Sequence, residues 1–323
     1  MARPVSEKRT LMGSPFSITA YPGSGRRVLT EEELQAAIAT AYQEAARVED
    51  LLTDFRDSPL NRVNAGAGGP PVPVPPELFD LLDFALGLCR DSAGAFDITF
   101  ASAGMLWREA FRTGVPPSEA ALDAALRLVD HSRVELDRNA RTVRLPEKGM
   151  RIGLGSIGKG YGVDRAFRVL RDLGLENILV DGAGDIRLSS SPAAPRPWRV
   201  AIRNPFAADG RPAGFLDLRS GAVVTSGDYE RFFVHGGRKY HHVLDARTGR
   251  VRDGVASVTV TASTAALANA CSISAMALGP EEGEAFLRRR RDAGGVMILT
   301  SGRVLNCGLK PGPELERREI CHS

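Results

Sequence analysis

The sequence predicts an α+β fold, mixed sheets with flanking helices, and three observations predict it. Segments with an apolar period near 3.6 and segments that alternate or run apolar are both present. They do not follow one another in strict βαβ order, which argues against a doubly wound sheet. Of the 323 residues 43% are hydrophobic, enough for a sizeable core. Residues 14–21 alternate as a strand does. Thr30-Glu-Glu-Glu33 has the form of a capping box, and Leu34, Ile38, Ala41, Ala45, Val48 and Leu52 then fall on one stripe, a helix running to about Leu52. The stretch 65–76, AGAGGPPVPVPP, is too rich in Gly and Pro for regular structure, and Pro75-Pro76 suits the start of a second helix to about residue 90. A third helix is expected near 118–129, then two short strands around the Arg138-Asn139 turn. Residues 159–173 read as helix and 177–181 as a buried strand. Strands follow at 198–203, 222–226, 231–244 and 255–262, then helices at 264–278 and 280–290. No repeat of fixed period is present.

Charge excludes some partners. Lys and Arg number 42 against 39 Asp and Glu, so the net charge of +3 gives no ground for nucleic-acid binding. No run approaches the roughly 18 apolar residues of a membrane span. The first residues hold no uninterrupted apolar run of the kind a secretory leader has, and the cytoplasm is the expected compartment. The cysteines, Cys89, Cys271, Cys307 and Cys321, lie far apart without C-x-x-C spacing and read as reduced thiols.

Gly153-Leu-Gly155-Ser-Ile-Gly158 is formally a G-x-G-x-x-G before a helix, with Asp181 where a ribose-binding acid would fall. The segment before it, LPEKGMRI, is short and charged, unlike the apolar first strand of a nicotinamide-binding unit. The glycines equally suit a tight strand-to-helix turn. The wider phrase GLGSIGKGYGVDRA, residues 153–166, resembles the ApbE-family phrase DLGGIAKGYAVD. Met12-Gly13-Ser14, TDFRDSPLNRVN from Thr53, GAFDIT from Gly94, TSGDYERFF from Thr225 and YHHVLDARTG from Tyr240 are similar to further ApbE phrases, in the same order. The chain is therefore identified as a member of that family over residues 10–290, with 291–323 a C-terminal strand and tail.

The resemblance implies a transferase that cleaves FAD and attaches FMN to a Ser or Thr of an acceptor protein, releasing AMP. It places Met12, Phe55, Ala95, Phe96, Asp97, Lys159, Asp164, Thr225, Ser226 and His242 at the FAD, with Lys159 and His242 catalytic. The residue types make chemical sense. A pyrophosphate calls for close backbone approach, at Gly155, Gly158 and Gly160, and for a cation such as Lys159. Phe55 offers a ring to stack on the flavin, and His242 a side chain that titrates near neutral pH. Each also has a plainer reading: Lys159 a surface lysine, Phe55 a core residue, Asp97 a cap, Asp164 a solvated helical acid. For Thr225-Ser226-Gly227 the plainer reading is a polar turn, and for His242 a structurally held imidazole.

The family's Mg²⁺ site, by the same resemblance, uses a backbone carbonyl of the Lys-Gly loop with an Asp and a Thr on a late helix. Here the carbonyl is that of Gly158, Asn269 stands for the Asp and Ile273 for the Thr. Losing a carboxylate weakens a hard-cation site. Ser272 shares nearly the same helix face as Asn269, and neither restores the charge. The alternative is a family member that only binds FAD, as a carrier or regulatory module. A nicotinamide oxidoreductase rests on the 153–158 glycines alone.

Overall fold

The computed structural model describes residues 3–22, 28–191 and 197–309. Cys321 and residues 310–323 of the expected tail lie outside them. Strands Val5–Leu11 (β1) and Ser14–Ala20 (β2) form an antiparallel hairpin. Helix Glu31–Leu52 (α1) starts on Thr30 as its capping box predicts, and its apolar stripe is buried. Helix Pro59–Ala65 (α2) follows, capped by Ser58, then strand Val72–Pro73 (β3) and helix Pro76–Asp91 (α3). Helices Ala101–Thr113 (α4) and Glu119–Leu126 (α5) precede the short strands Glu135–Asp137 (β4) and Thr142–Arg144 (β5), and β5 pairs with both β3 and β4. Helix Gly155–Asp172 (α6) leads to strands Ile178–Gly182 (β6) and Asp185–Ser189 (β7).

Two ribbons follow: Trp198–Arg203 (β8) with Pro212–Leu218 (β9), and, after strand Ser220–Gly227 (β10), Phe232–His235 (β11) with Arg238–His241 (β12). Strand Val255–Ala262 (β13), helices Ala265–Leu278 (α7) and Pro280–Arg289 (α8), and strands Ala293–Leu299 (β14) and Val304–Cys307 (β15) complete the chain. The α+β expectation holds. An eight-stranded antiparallel sheet runs in the order β1-β2-β6-β7-β10-β13-β14-β15, so β14 and β15 extend the main sheet beyond residue 290. Helices α1, α6 and α7 pack together on one face. The β8–β9 ribbon packs on the other, through Val200, Ile202 and Leu216 against Leu188, Val223 and Ile298.

Three differences from the expected elements bear on the site. Helix α6 begins at Gly155, four residues earlier than expected. The expected strand 231–244 is a hairpin turning at Gly236-Gly237, both with positive φ, and it ends at His241. Helix α4, not expected, forms one side of an aromatic cluster in which Trp107 and Phe111 meet Phe233 and Tyr240 of that hairpin.

Candidate functional site

A cavity of about 910 Å³ opens between the N-terminus of α6, the β6–β7 turn, β10, α4 and the loop after β12. That is room for a ligand of dinucleotide size. Lys159, one turn into α6, reaches across it: Nζ donates to the Ala183 carbonyl at 3.3 Å and lies 3.4 Å from Asp185 Oδ1. The local chain explains this meeting. Gly182 pairs with Asp185 across a two-residue hairpin turn, Ala183-Gly184, with φ of 53° and 92°, the left-handed pair that suits the twist of the strands. The Asp181 carboxylate accepts from Gly184 N–H and holds the turn. Asp185, only 3% exposed, is thereby fixed at the cavity wall. Burial pushes its carboxyl up to about 6, against the opposing pull of Lys159 and of the Asn269 amide.

Asn269, on α7, donates from Nδ2 to Asp185 Oδ2 at 2.7 Å, while its buried Oδ1 has no hydrogen-bond partner among the described residues. The amide cannot be turned over, since that would set Oδ1 against a carboxylate. Thr225 and Ser226 are neighbours of this group on β10, their hydroxyls bonded to Thr259 and Ser272 at 2.9 and 2.8 Å. They lie in a strand paired with β13, not in a turn.

His242 follows β12, outside the strand, so strand alternation does not decide its direction. Its N–H donates to the Arg231 carbonyl at 3.1 Å, and its ring Nδ1 lies 3.3 Å from the same oxygen. A carbonyl only accepts, so Nδ1 carries the proton and Nε2 is the free base. His242 is exposed by its surface area, yet neighbouring groups crowd its ring, and that desolvation holds the imidazole below the usual histidine range. The neutral, proton-accepting form is therefore the one present at neutral pH. The adjacent His241 is buried, and burial pushes it down to about 4.

Ala95, Phe96 and Asp97 also line the cavity. Asp97 is at once a wall and a cap. Its Oδ1 accepts from Thr99 N–H and hydroxyl at 2.8 and 2.6 Å, and its Oδ2 from His131 N–H and ring Nδ1 at 3.1 and 2.8 Å. Cys89, Asp97 and His131 lie close enough to hold a metal. The carboxylate is already filled by these donors and burial pushes the Cys89 thiol up to about 12, so this group does not fit an ion.

The ApbE family profile matches residues 12–298. The chain belongs to the ApbE family. It is 32% identical to an FAD:protein FMN transferase of Klebsiella pneumoniae, over 94% of this chain and 92% of that one. A Treponema pallidum protein of the same name is 33% identical, over 84% and 79%. Among solved structures, an ApbE protein of Thermotoga maritima superposes with a TM-score of 0.83 at 25% identity, covering 94% of this chain and 97% of that one. The flavin transferase ApbE of Vibrio cholerae gives 0.80 at 27%, covering 95% and 97%.

Several residues expected at the ApbE site stand elsewhere. Phe55 is 82% exposed and outside the cavity, its ring under the Arg108 guanidinium at 4.5 Å. It is not a core residue either. Met12 packs against Gly162 on α6 and donates its N–H to Glu49 Oε2 at 2.9 Å. Asp164 caps α7: its carboxylate oxygens accept from Ala265 and Ala266 N–H at 2.8 and 2.9 Å, and Arg187 lies at 3.7 Å. It lines a second cavity of about 790 Å³ with Arg165, Arg168, Arg171 and Arg187.

The glycines of the ApbE phrase serve packing more than phosphate approach. A Cβ on Gly160 would fall 2.7 Å from the Ala265 carbonyl, and one on Gly162 2.7 Å from Met12 Sδ. Gly155 alone of those expected to approach phosphate borders the cavity. Gly158 is buried within α6, where a carbonyl is engaged by the N–H four residues on. It is therefore not the open loop carbonyl expected of a metal ligand. Sequence reasoning missed Asp185, Arg231, and Trp107, Arg108 and Phe111 of α4, all of which line the cavity. A two-residue turn at Ala183-Gly184 was the only signal for Asp185.

Proposed function

We propose that this chain is an FAD:protein FMN transferase that attaches FMN through a phosphoester to a Ser or Thr of an acceptor protein. In this reading the aromatic wall of Phe100, Trp107 and Phe111 receives the flavin ring. The pyrophosphate lies between Lys159 and Gly155. The acceptor hydroxyl attacks the FMN-side phosphorus, a P–O bond to the acceptor forms, the bridging P–O bond breaks, and AMP leaves with the bridging oxygen. His242 Nε2 takes the hydroxyl proton, and the Lys159 ammonium offsets charge that builds on the phosphoryl oxygens. An Mg²⁺ ion would add Lewis-acid stabilisation at the pyrophosphate. The oxygens present suit a hard cation: the unpartnered Asn269 Oδ1 above all, with the buried Asp185 carboxylate and the Ala183 carbonyl beside it.

The observation that carries the reading is the His242 ring, pinned through Nδ1 and presenting a free Nε2 on the cavity that also holds Lys159. The reading as a carrier that only binds FAD is not favoured, because the relatives matched over most of their length bear the transferase name. The cytoplasm is the proposed compartment, and the three described cysteines, buried and free, are consistent with it. Among the described residues no helix is long and apolar enough to cross a membrane. Incubation with FAD, Mg²⁺ and an acceptor protein, followed by mass spectrometry, tests the function. An FMN adduct on a Ser or Thr and equimolar AMP are expected; FAD binding without either product would refute transfer.

A further inference from the structure

Asn269 withholds the carboxylate that a cation beside a pyrophosphate calls for, yet the same wall carries one from a different element. We infer that Asp185, at the start of β7, supplies the negative charge of the divalent-cation site, and that the Lys159 ammonium is the occupant a cation displaces from it. This rests on the reading of the cavity as the FAD pyrophosphate site.

Three oxygens converge there with less than they can accept. Asp185 is 3% exposed, and the partners of its carboxylate in the cavity are one amide at 2.7 Å and one ammonium at 3.4 Å. Asn269 Oδ1, buried on the same side chain that touches Asp185, has no partner among the described residues. The Ala183 carbonyl is aimed at the group by a left-handed alanine, a conformation that non-glycine residues seldom adopt, and it accepts from Lys159 Nζ at 3.3 Å.

Charge-assisted hydrogen bonds between nitrogen and oxygen usually close to about 2.7–2.9 Å. The ammonium sits at 3.3 and 3.4 Å from both of its oxygens, so it is loosely held. An amide oxygen, a carboxylate and a backbone carbonyl are the hard donors that Mg²⁺ or Mn²⁺ takes, with phosphate oxygens completing the shell. When FAD brings two further negative charges, a divalent ion satisfies the group better than a single ammonium. Lys159, released from Asp185, is then free to turn to the phosphoryl oxygens. The negative charge expected on α7 has thus moved across the cavity to β7.

The test uses the full chain with Mn²⁺ as probe. Free Mn²⁺ is read by electron paramagnetic resonance with and without FAD, and FAD binding is followed separately by flavin fluorescence. The wild type should bind one Mn²⁺ in the presence of FAD, and Asp185→Asn should weaken that binding by about tenfold or more. Asn269→Asp in the Asp185→Asn background should restore it. Lys159→Met, which removes the competing ammonium, should tighten Mn²⁺ binding in the absence of FAD. Should Asp185→Asn fail to fold, Lys159→Met reads the same competition, and Mn²⁺ affinity unchanged in it would overturn the inference. So would an Asp185→Asn protein that binds Mn²⁺ as the wild type does, or a wild type that binds none. In those cases FAD still binds, whereas loss of FAD binding by the wild type would instead sink the reading of the cavity.

Discussion

Asp164→Ala separates the cap from the nucleotide contact that the family resemblance implies. The carboxylate holds two N–H groups at the start of α7 and faces Arg187, one of whose terminal nitrogens is buried without a partner. Removing it strands those two donors, at about 1–3 kcal/mol each. It also leaves the Arg187 guanidinium without a counter-charge, for which breaking a buried pair sets an upper range of about 3–5 kcal/mol. Against this, the substitution relieves the burial of a charge. Burial pushes the Asp164 carboxyl from 3.8 up to about 6, roughly 3 kcal/mol of opposing free energy at pH 7. The stranded donors and the orphaned guanidinium outweigh that relief, leaving a loss of a few kcal/mol.

The pH dependence has a definite sign. A carboxyl whose folded value lies above its unfolded value contributes stability that is fully present below the unfolded value and lost as pH rises through the folded one. The gap between wild type and variant should therefore be wider at pH 5 than at pH 7, by about 1 kcal/mol. Asp185 titrates in the same direction but is common to both proteins and cancels. Urea unfolding followed by the fluorescence of Trp107 and Trp198 measures the gap at both pH values, and a flavin titration measures FAD affinity. FAD affinity should stay within about threefold, because Asp164 lies outside the cavity. Stability unchanged at both pH values with FAD affinity lost would refute the capping argument.

Three further outcomes are expected. Transfer should fall as pH drops, with a midpoint below the ordinary histidine value of about 6.5, because protonating Nε2 removes the base. His242→Ala should lower the rate by about 10²–10⁴ and remove that acid limb while sparing FAD affinity; an equal loss in rate and affinity would make the ring a binding or structural group. Phe55→Ala should change FAD affinity by no more than about twofold, as an exposed residue outside the cavity, and a loss above tenfold on titration would mean that its ring closes over the flavin.

The helix starts were legible in the sequence where a cap and an apolar stripe agree, as at Thr30 and at Pro75-Pro76. The α4 helix, with Gly104 in its first turn and phenylalanines near either end, gave no such agreement, although it lines the site. The phrase from 153 to 166 identified the family, yet its glycines were assigned to phosphate approach when most of them admit the backbone of α7 and the side chains of Met12 and Leu52.

By itself, then, the sequence determined the local elements, the family, and the presence of a lysine and a histidine suited to phosphoryl chemistry. These are properties of residues within a few positions of one another, where spacing along the chain is spacing in the element. Only the tertiary structure decided which oxygens surround Lys159, which nitrogen of His242 is free, and that Asp164 turns to α7. The Asp185 carboxylate meets the Asn269 amide across 84 residues of sequence, and Asp164 meets Ala265 across 101. The pairing of β6 with β7 and the packing of α6 on α7 set those meetings, and a carboxylate carries no local mark of the partner that a distant element will bring to it.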